Sequence, residues 1–296
     1  MDGRLQILLA AVLWSTGGLF IKVLLGSGHA LSPGTLVSVR SLAAGLVLAW
    51  ALPRLRKPVA TAGRDPTPVK WTRVAAPAVV YAAFLFAYVS ANVWTSAANA
   101  ILLQYFYPLI VAVASFALFG ERLVRGDAWA LGLGTLGVVV IVVGSWQGAE
   151  VLGVTLGMLS ALGFGAFVLL QRPLKGVDVL ALTSINNLVT FLAILPFADG
   201  ILDAPAAALA LVAFQGVVQI AAPYVLFLNG LRTVPAVAGS VITLAEPLLN
   251  PLWTWLGVGE VPSFWTLLGG GVLLAALVVQ AVDAARRRGR AARAAG

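Results

Sequence analysis

Residues 234–255 read VPAVAGSVITLAEPLLNPLWTW, and this stretch decides the fold. It is long and apolar enough to cross a bilayer, for which about 20 residues suffice. Glu246 nevertheless lies near its middle, followed at once by Pro247. A carboxylate at that depth costs about 2.5–3.5 kcal/mol on insertion scales, so the helix must turn it toward protein or water. Ser240, Thr243, Pro247, Asn250 and Thr254 recur at spacings of three and four, which places them on one helical face. Pro247 and Pro251 each remove a backbone donor and free carbonyls on the same helix. A kinked polar stripe inside a spanning helix predicts the lining of a cavity.

The same stretch occurs earlier, at a constant offset of 139, as SAANAILLQYFYPLIVAVASFAL over residues 96–118. Ala97 falls on Ala236, Pro108 on Pro247, Leu109 on Leu248 and Gly120-Glu121 on Gly259-Glu260. Gln104 and Tyr107 stand where the later copy has Thr243 and Glu246. At an offset of 146, Leu36, Ser38, Leu42 and Leu46 likewise match Leu182, Ser184, Leu188 and Leu192, with Arg40 opposite Asn186. The duplication covers both halves of the chain.

Around these stretches, 60% of the 296 residues are hydrophobic and only 10% are charged, with a mean hydropathy of +0.98. Soluble domains carry about 25% charged residues, so the chain is predicted to be a polytopic membrane protein. The absence of cysteine excludes a disulfide framework, a thiol nucleophile and Cys-ligated metals. With His29 as the one histidine, no His-based metal site or triad is expected, and no cofactor. The first apolar segment, 5–25, is followed by no small-residue cleavage site and reads as a span rather than a signal.

Hydropathy gives ten spans, near 5–25, 34–53, 73–94, 96–118, 127–146, 152–171, 180–198, 206–231, 234–256 and 263–282. Every basic residue except Lys22 and Arg40 falls at a span end or loop on one face, including the run Arg286-Arg287-Arg288. The opposite loops carry Glu150, Asp199, Asp203 and Glu260. By the positive-inside rule both termini are cytoplasmic. Five spans per half is an odd number, so the second half must be inserted upside down. The expected fold is an all-α membrane protein of ten transmembrane helices, built as two inverted five-helix repeats around a central cavity. The divisions are 1–148, 149–283 and a basic cytoplasmic tail, 284–296, suited to anionic lipid. Secondary transporters are commonly built this way, because related halves can rock about a shared midplane site.

Trp14-Ser15-Thr16-Gly17 with Lys22, then Arg40, then Pro108 with Phe119-Gly120-Glu121, form an ordered set of motifs. Ala236, Glu246-Pro247 and Gly259-Glu260 continue it in the second half. This set resembles the EamA-type exporters of the drug/metabolite transporter superfamily over essentially the whole chain. Within that superfamily the chain looks most like YddG-type amino-acid exporters. The resemblance implies a basket-like inverted repeat that exports metabolites, with preference for aromatic and other neutral amino acids. Tyr107 before Pro108, against Glu246 before Pro247, breaks the symmetry at the expected site.

Glu246 is the leading functional candidate: its carboxylate can attract a substrate ammonium or exchange a proton. The alternatives are a structural pair with Lys22 or Arg40, or hydrogen bonds to freed carbonyls. Lys22 lies near the outer end of its span, where it can snorkel to the headgroups. Arg40 lies deeper, in reach of Asn186, Asn187 or Glu246 as an ion-pair or gating residue, or of a substrate carboxylate. The expected substrate-binding set is Trp14, Tyr81, Gln104, Tyr107, Thr243, Glu246 and Asn250, with Lys22 and Arg40 as gating or ion-pair residues. Pro108 and Pro247 are the expected hinges. Gln215 and Gln219 read as helix-to-helix hydrogen bonding. The GxGxxG string at 132–137 follows no strand, so close helix packing explains it better than a dinucleotide.

The expected function is secondary transport: export of small metabolites, most plausibly aromatic or neutral amino acids, across the bacterial cytoplasmic (inner) membrane by alternating access. The expected partners are a small-molecule solute and membrane lipid, with no nucleic acid and a monomeric assembly. No GxxxxGK[ST] string occurs, so gradients supply the energy. The rivals are carriage of another solute class (drug, sugar or nucleoside), an integral-membrane lipid-modifying enzyme, and a channel or scaffold. The enzyme reading lacks paired intramembrane carboxylates, cysteine and an HExxH string.

Overall fold

A computed structural model of the chain describes residues 1–26, 31–56, 59–61, 64–67, 71–120, 125–146, 148, 150–174, 176–234, 239 and 242–294. The expectations for Glu121, Ala236 and Ser240 lie outside these residues. The helices are α1 (Gly3–Ser15), α2 (Gly17–Gly26), α3 (Pro33–Val47), α4 (Trp71–Trp94), α5 (Ala97–Gln104) and α6 (Tyr107–Phe119). There follow α7 (Arg125–Gly144), α8 (Glu150–Leu170), α9 (Val179–Ile194), α10 (Ala206–Gly216), α11 (Ala222–Gly230), α12 (Ala245–Val258) and α13 (Phe264–Ala294). The basic loop after α3 holds a small antiparallel pair of strands, β1 (Val59–Thr61) and β2 (Arg64–Thr67).

Among the described residues eight helices are long and apolar enough to cross a membrane, and a ninth is bent by 68° between Pro33–Val47 and Ala49–Leu55. This is the second expected span, 34–53. It turns after Val47 because Pro53 has no N–H to continue an α-helix, and residues 49–56 wind as a 3-10 turn instead. The ninth expected span, 234–256, is described continuously only from 242 onward.

Repeat-equivalent positions carry equivalent punctuation. Ser32 and Asp178, 146 residues apart, N-cap α3 and α9 by accepting from Thr35 N and Ala181 N. Gly120 and Gly259, 139 apart, end α6 and α12 at φ 65° and 72°, a left-handed cap that glycine adopts without a Cβ clash. Pro108 lies just past a break at Tyr105 and Phe106, and Pro247 just past a matching break at Leu244. In each copy the proline cannot donate to the carbonyl four residues back, so the span divides there.

The inversion can be read from which ends meet. Arg54, after α3, pairs with Asp178 before α9 at 3.0 Å, while Thr35 at the start of α3 donates to the Asp199 carbonyl beyond α9 at 2.9 Å. Gly126 of α7 lies against Asp283 of α13, and Gly144 lies against Trp265. Ala97 at the start of α5 donates to Glu260 beyond α12 at 2.7 Å. These three equivalent pairs of spans therefore run antiparallel, as a two-fold axis in the membrane plane requires. The other contacts obey the same exchange: α4 packs on α8 and α9, and their counterparts α10 and α11 pack on α1 and α3.

Helices inside a bilayer gain little from hydrophobic burial against one another, so small residues set their approach. A Cβ on Gly137, the last glycine of the GxGxxG string, would lie 2.6 Å from the Gly269 carbonyl. Leu118, Trp129, Val143, Leu192 and Leu256 are exposed around the outside, where lipid tails would meet them. Polar residues such as Ser38, Arg40, Asn187 and Gln215 are buried inside.

Candidate functional site

A cavity of about 600 Å³ lies where the broken helices meet. The division of α5 from α6 turns Gln104, Tyr105, Tyr107 and Pro108 onto its wall, and the matching division before α12 adds Thr243, Leu244 and Glu246. A third irregularity comes from α10 and α11, joined by a π turn at Val217–Ala221 in which Ala222 N–H bonds the Val217 carbonyl. This turn precedes Pro223 and presents Gln219 and Ile220 to the cavity.

Glu246 accepts a hydrogen bond from the Tyr105 hydroxyl at 2.7 Å, across the two repeats. Arg40 lies on the same wall system and is 3% exposed. Among the described residues neither has an oppositely charged side chain within 4.0 Å. The pairing of Arg40 with Glu246, Asn186 or Asn187 offered by the sequence is therefore not made. Asn187 donates instead to the Thr183 carbonyl at 2.9 Å and toward the Tyr81 hydroxyl at 3.5 Å. Between the two charges runs an aromatic wall. Tyr107 stacks on Phe164 with centroids 4.1 Å apart, and Phe164 stacks on Phe84 at 4.8 Å. Trp14 and Tyr224, which also line the cavity, meet edge to face at 5.5 Å.

Of the residues singled out from the sequence, the cavity brings together Trp14, Arg40, Tyr81, Gln104, Tyr107, Pro108, Thr243 and Glu246. Asn250, Pro247 and Lys22 do not line it. The polar stripe of α12 is one face, but only its first turn reaches the cavity; Asn250 is wholly buried further along, against Gly18 of α2. Gln104 is tied down by its donation to Ser160 Oγ at 2.7 Å. Gln215 donates to Gln219, which donates to the Trp14 carbonyl at 3.1 Å where α1 gives way to α2.

Lys22 does not snorkel freely. Its ammonium pairs with Glu260 at 2.7 Å and donates to the Thr95 carbonyl at 2.9 Å. Glu260 also accepts from Ala97 N, so one carboxylate joins α2, the start of α5 and the end of α12. At the other end the cavity extends to Asp127, Gln280 and Ala284, on the face that bears the arginines. There Arg287 bridges Asp127 at 3.3 Å and Asp283 at 3.1 Å. Lys22 and Glu260 thus tie three helix ends together away from the cavity lining, and the space itself reaches toward the face that bears the arginines.

Two participants stand outside the expected set. Tyr105 is one aromatic among many, although its place three residues before Pro108 matches Leu244 before Pro247 and marks the break. Glu260 reads as a loop glutamate; its partner is 238 positions away in the chain, and no local spacing points to it. Among the described residues, no three of His, Cys, Asp or Glu converge as metal ligands.

Comparison with known proteins agrees with this architecture. The model of the EamA-like transporter family matches residues 1–143 and again 151–281. An uncharacterized transporter of Archaeoglobus fulgidus is 31% identical over 196 residues, covering 65% of this chain and 70% of its own. An uncharacterized protein of Pseudomonas aeruginosa is 30% identical over 270 residues, covering 86% of this chain and 85% of its own. A solved crystal structure shares the fold with a TM-score of 0.62 at 22% identity, covering 94% of this chain and 96% of that one. The two family matches span nearly the whole sequence, and the chain belongs to the EamA-like transporter family.

Proposed function

We propose that this transporter exports amino acids, aromatic and other neutral ones above all, from the bacterial cytoplasm by alternating access. The solute site is the cavity, and the rocking units are residues 1–148 and 149–283, with both termini and the tail 284–296 in the cytoplasm. The observation that carries the reading is Glu246, a carboxylate with Tyr105 as its hydrogen-bond donor and no cation beside it among the described residues, facing a wall of stacked rings. A carboxylate so placed attracts an ammonium group, and the rings accept a flat or apolar side chain.

Trp14, Tyr81, Gln104, Tyr107 and Thr243 share that wall and serve as the remaining substrate contacts. Pro108 and Pro247, each just past a helix break, are the hinges. Lys22 with Glu260 closes the periplasmic end while the cavity reaches toward the cytoplasm, an inward-facing arrangement.

The test is counterflow in proteoliposomes preloaded with single solutes. Phenylalanine, leucine and tryptophan are expected to drive uptake of labelled phenylalanine, and sugars and nucleosides are not. Exchange confined to sugars, nucleosides or lipids would overturn the reading.

A further inference from the structure

We infer that Arg40 is the carboxylate-binding pole of the site, so that the cavity recognises a zwitterion by both of its charges; this rests on the amino-acid reading above. The Arg40 side chain is almost fully buried yet lines the cavity. Its Nε has no hydrogen-bond partner, and among the described residues no carboxylate lies within 4.0 Å of its guanidinium. A buried cation left without a counter-charge is strongly unfavourable, and a structural role would have supplied one.

The surroundings hold the residue in place without satisfying it. A Cβ on Gly216 would run into the Arg40 carbonyl, so α10 presses directly on the backbone of α3 at this position. Beside it lie Ser41 Oγ, on the next residue of α3, and Gln215 Oε1, next to Gly216 on α10, both buried and both without partners. Such a group is suited to ordered water around a bound anion. A guanidinium offers two parallel N–H donors that match the two oxygens of a carboxylate.

Glu246 fixes the class of anion. It shares the cavity with Arg40 but is engaged by Tyr105, and the two charges are not paired with each other. A phosphate dianion entering the cavity would meet Glu246 as a second negative charge. A solute with one carboxylate and one ammonium satisfies both poles and leaves its side chain to Tyr107 and Phe164.

The experiment compares three probes on the purified full chain in liposomes: phenylalanine, phenethylamine, which lacks the carboxylate, and 3-phenylpropionate, which lacks the ammonium. In the wild type, phenylalanine is expected to bind most tightly. Arg40→Gln is expected to weaken phenylalanine by roughly 10- to 100-fold, the range for a charged hydrogen-bonded contact. Phenethylamine, a cation with no carboxylate for Arg40, should lose no affinity, which also reports that the variant is folded. Arg40→Lys, which keeps the charge but not the fork, is expected to fall between and serves if the glutamine variant does not fold. Equal losses for phenylalanine and phenethylamine, or none for phenylalanine, would overturn the assignment. If wild type binds no phenylalanine, the amino-acid reading fails. Arg40 as a carboxylate site then stands only if 3-phenylpropionate binding is lost with Arg40→Gln, and falls otherwise.

Discussion

The fourth span, 97–119, and the ninth, ending in α12, occupy equivalent places in the two repeats and differ in chemistry. Both break before a proline and both end on a left-handed glycine, Gly120 or Gly259. One offers Tyr107 at the turn and the other Glu246. The duplicated part is the scaffold: helix breaks, caps and close packing. The unduplicated part is the charge. A symmetric frame can hold a solute between its halves, but an asymmetric solute needs unlike groups on the two sides.

The duplicated scaffold extends to the ends of the spans. Lys22, late in the first repeat's opening span, meets Glu260 beyond α12. Arg172, after the corresponding span of the second repeat, reaches the end of α6, donating to Ser115 at 2.6 Å and lying over the Phe119 ring at 4.7 Å. A cation at the end of one repeat's first helix holds the end of the other repeat's fourth in both cases.

If the asymmetry carries function, Glu246→Gln should lower phenylalanine counterflow by about tenfold or more, equivalent to ~1.4 kcal/mol. Tyr107→Phe, at the equivalent position, should leave it near wild type. Equal losses from the two would break the comparison. The shared scaffold is tested by Gly137→Leu, which pushes a side chain into the Gly269 backbone. It should cost about 1–3 kcal/mol of stability, read as a lower unfolding temperature in detergent. An unchanged temperature would mean that the α7–α13 contact is not tight.

Tyr107→Ala sharpens the contrast from the other side. Removing one ring of the stack should reduce the preference for phenylalanine over alanine by a few-fold, since such ring pairs contribute about 0.5–1.5 kcal/mol. Competition assays with the two amino acids measure it, and an unaltered ratio would place the side chain elsewhere. The smallest effect is expected at the pair of Lys22 with Glu260. Lys22 and Glu260 are each about one-fifth exposed (side-chain values 20% and 21%), and such pairs contribute about 0–1 kcal/mol. Lys22→Gln should raise the labelling rate of a Thr95→Cys probe no more than about five-fold. Exchanging the charges, Lys22→Glu with Glu260→Lys, should return it toward wild type. The native chain has no cysteine, so the probe is the sole thiol.

Much of this was legible in the sequence because it is periodic or repeated. The breaks follow from Pro108 and Pro247, the antiparallel order from five spans per repeat, and Glu246 from a charge where none is comfortable. What was not legible depends on where helices stop leaning on the cavity. Asn250 shares a face with Glu246, but α2 closes over it through Gly18. Lys22 reads as a headgroup residue until Glu260 is brought beside it by the packing of α12 on α2. Arg40 could be placed at depth, but whether a neighbour neutralises it is a question of side-chain geometry that spacing does not answer.

Alternating access, as proposed, requires that the two inverted units open one pocket to one side and then the other. Spin-label pairs at positions 23 and 261, flanking Lys22 and Glu260, and at positions 119 and 232 on the arginine-bearing face test it directly. Across conditions that shift the resting state, reciprocal changes are expected: the first distance lengthens as the second shortens. Distances that lengthen together, or a first pair that never moves while phenylalanine is carried, would contradict it.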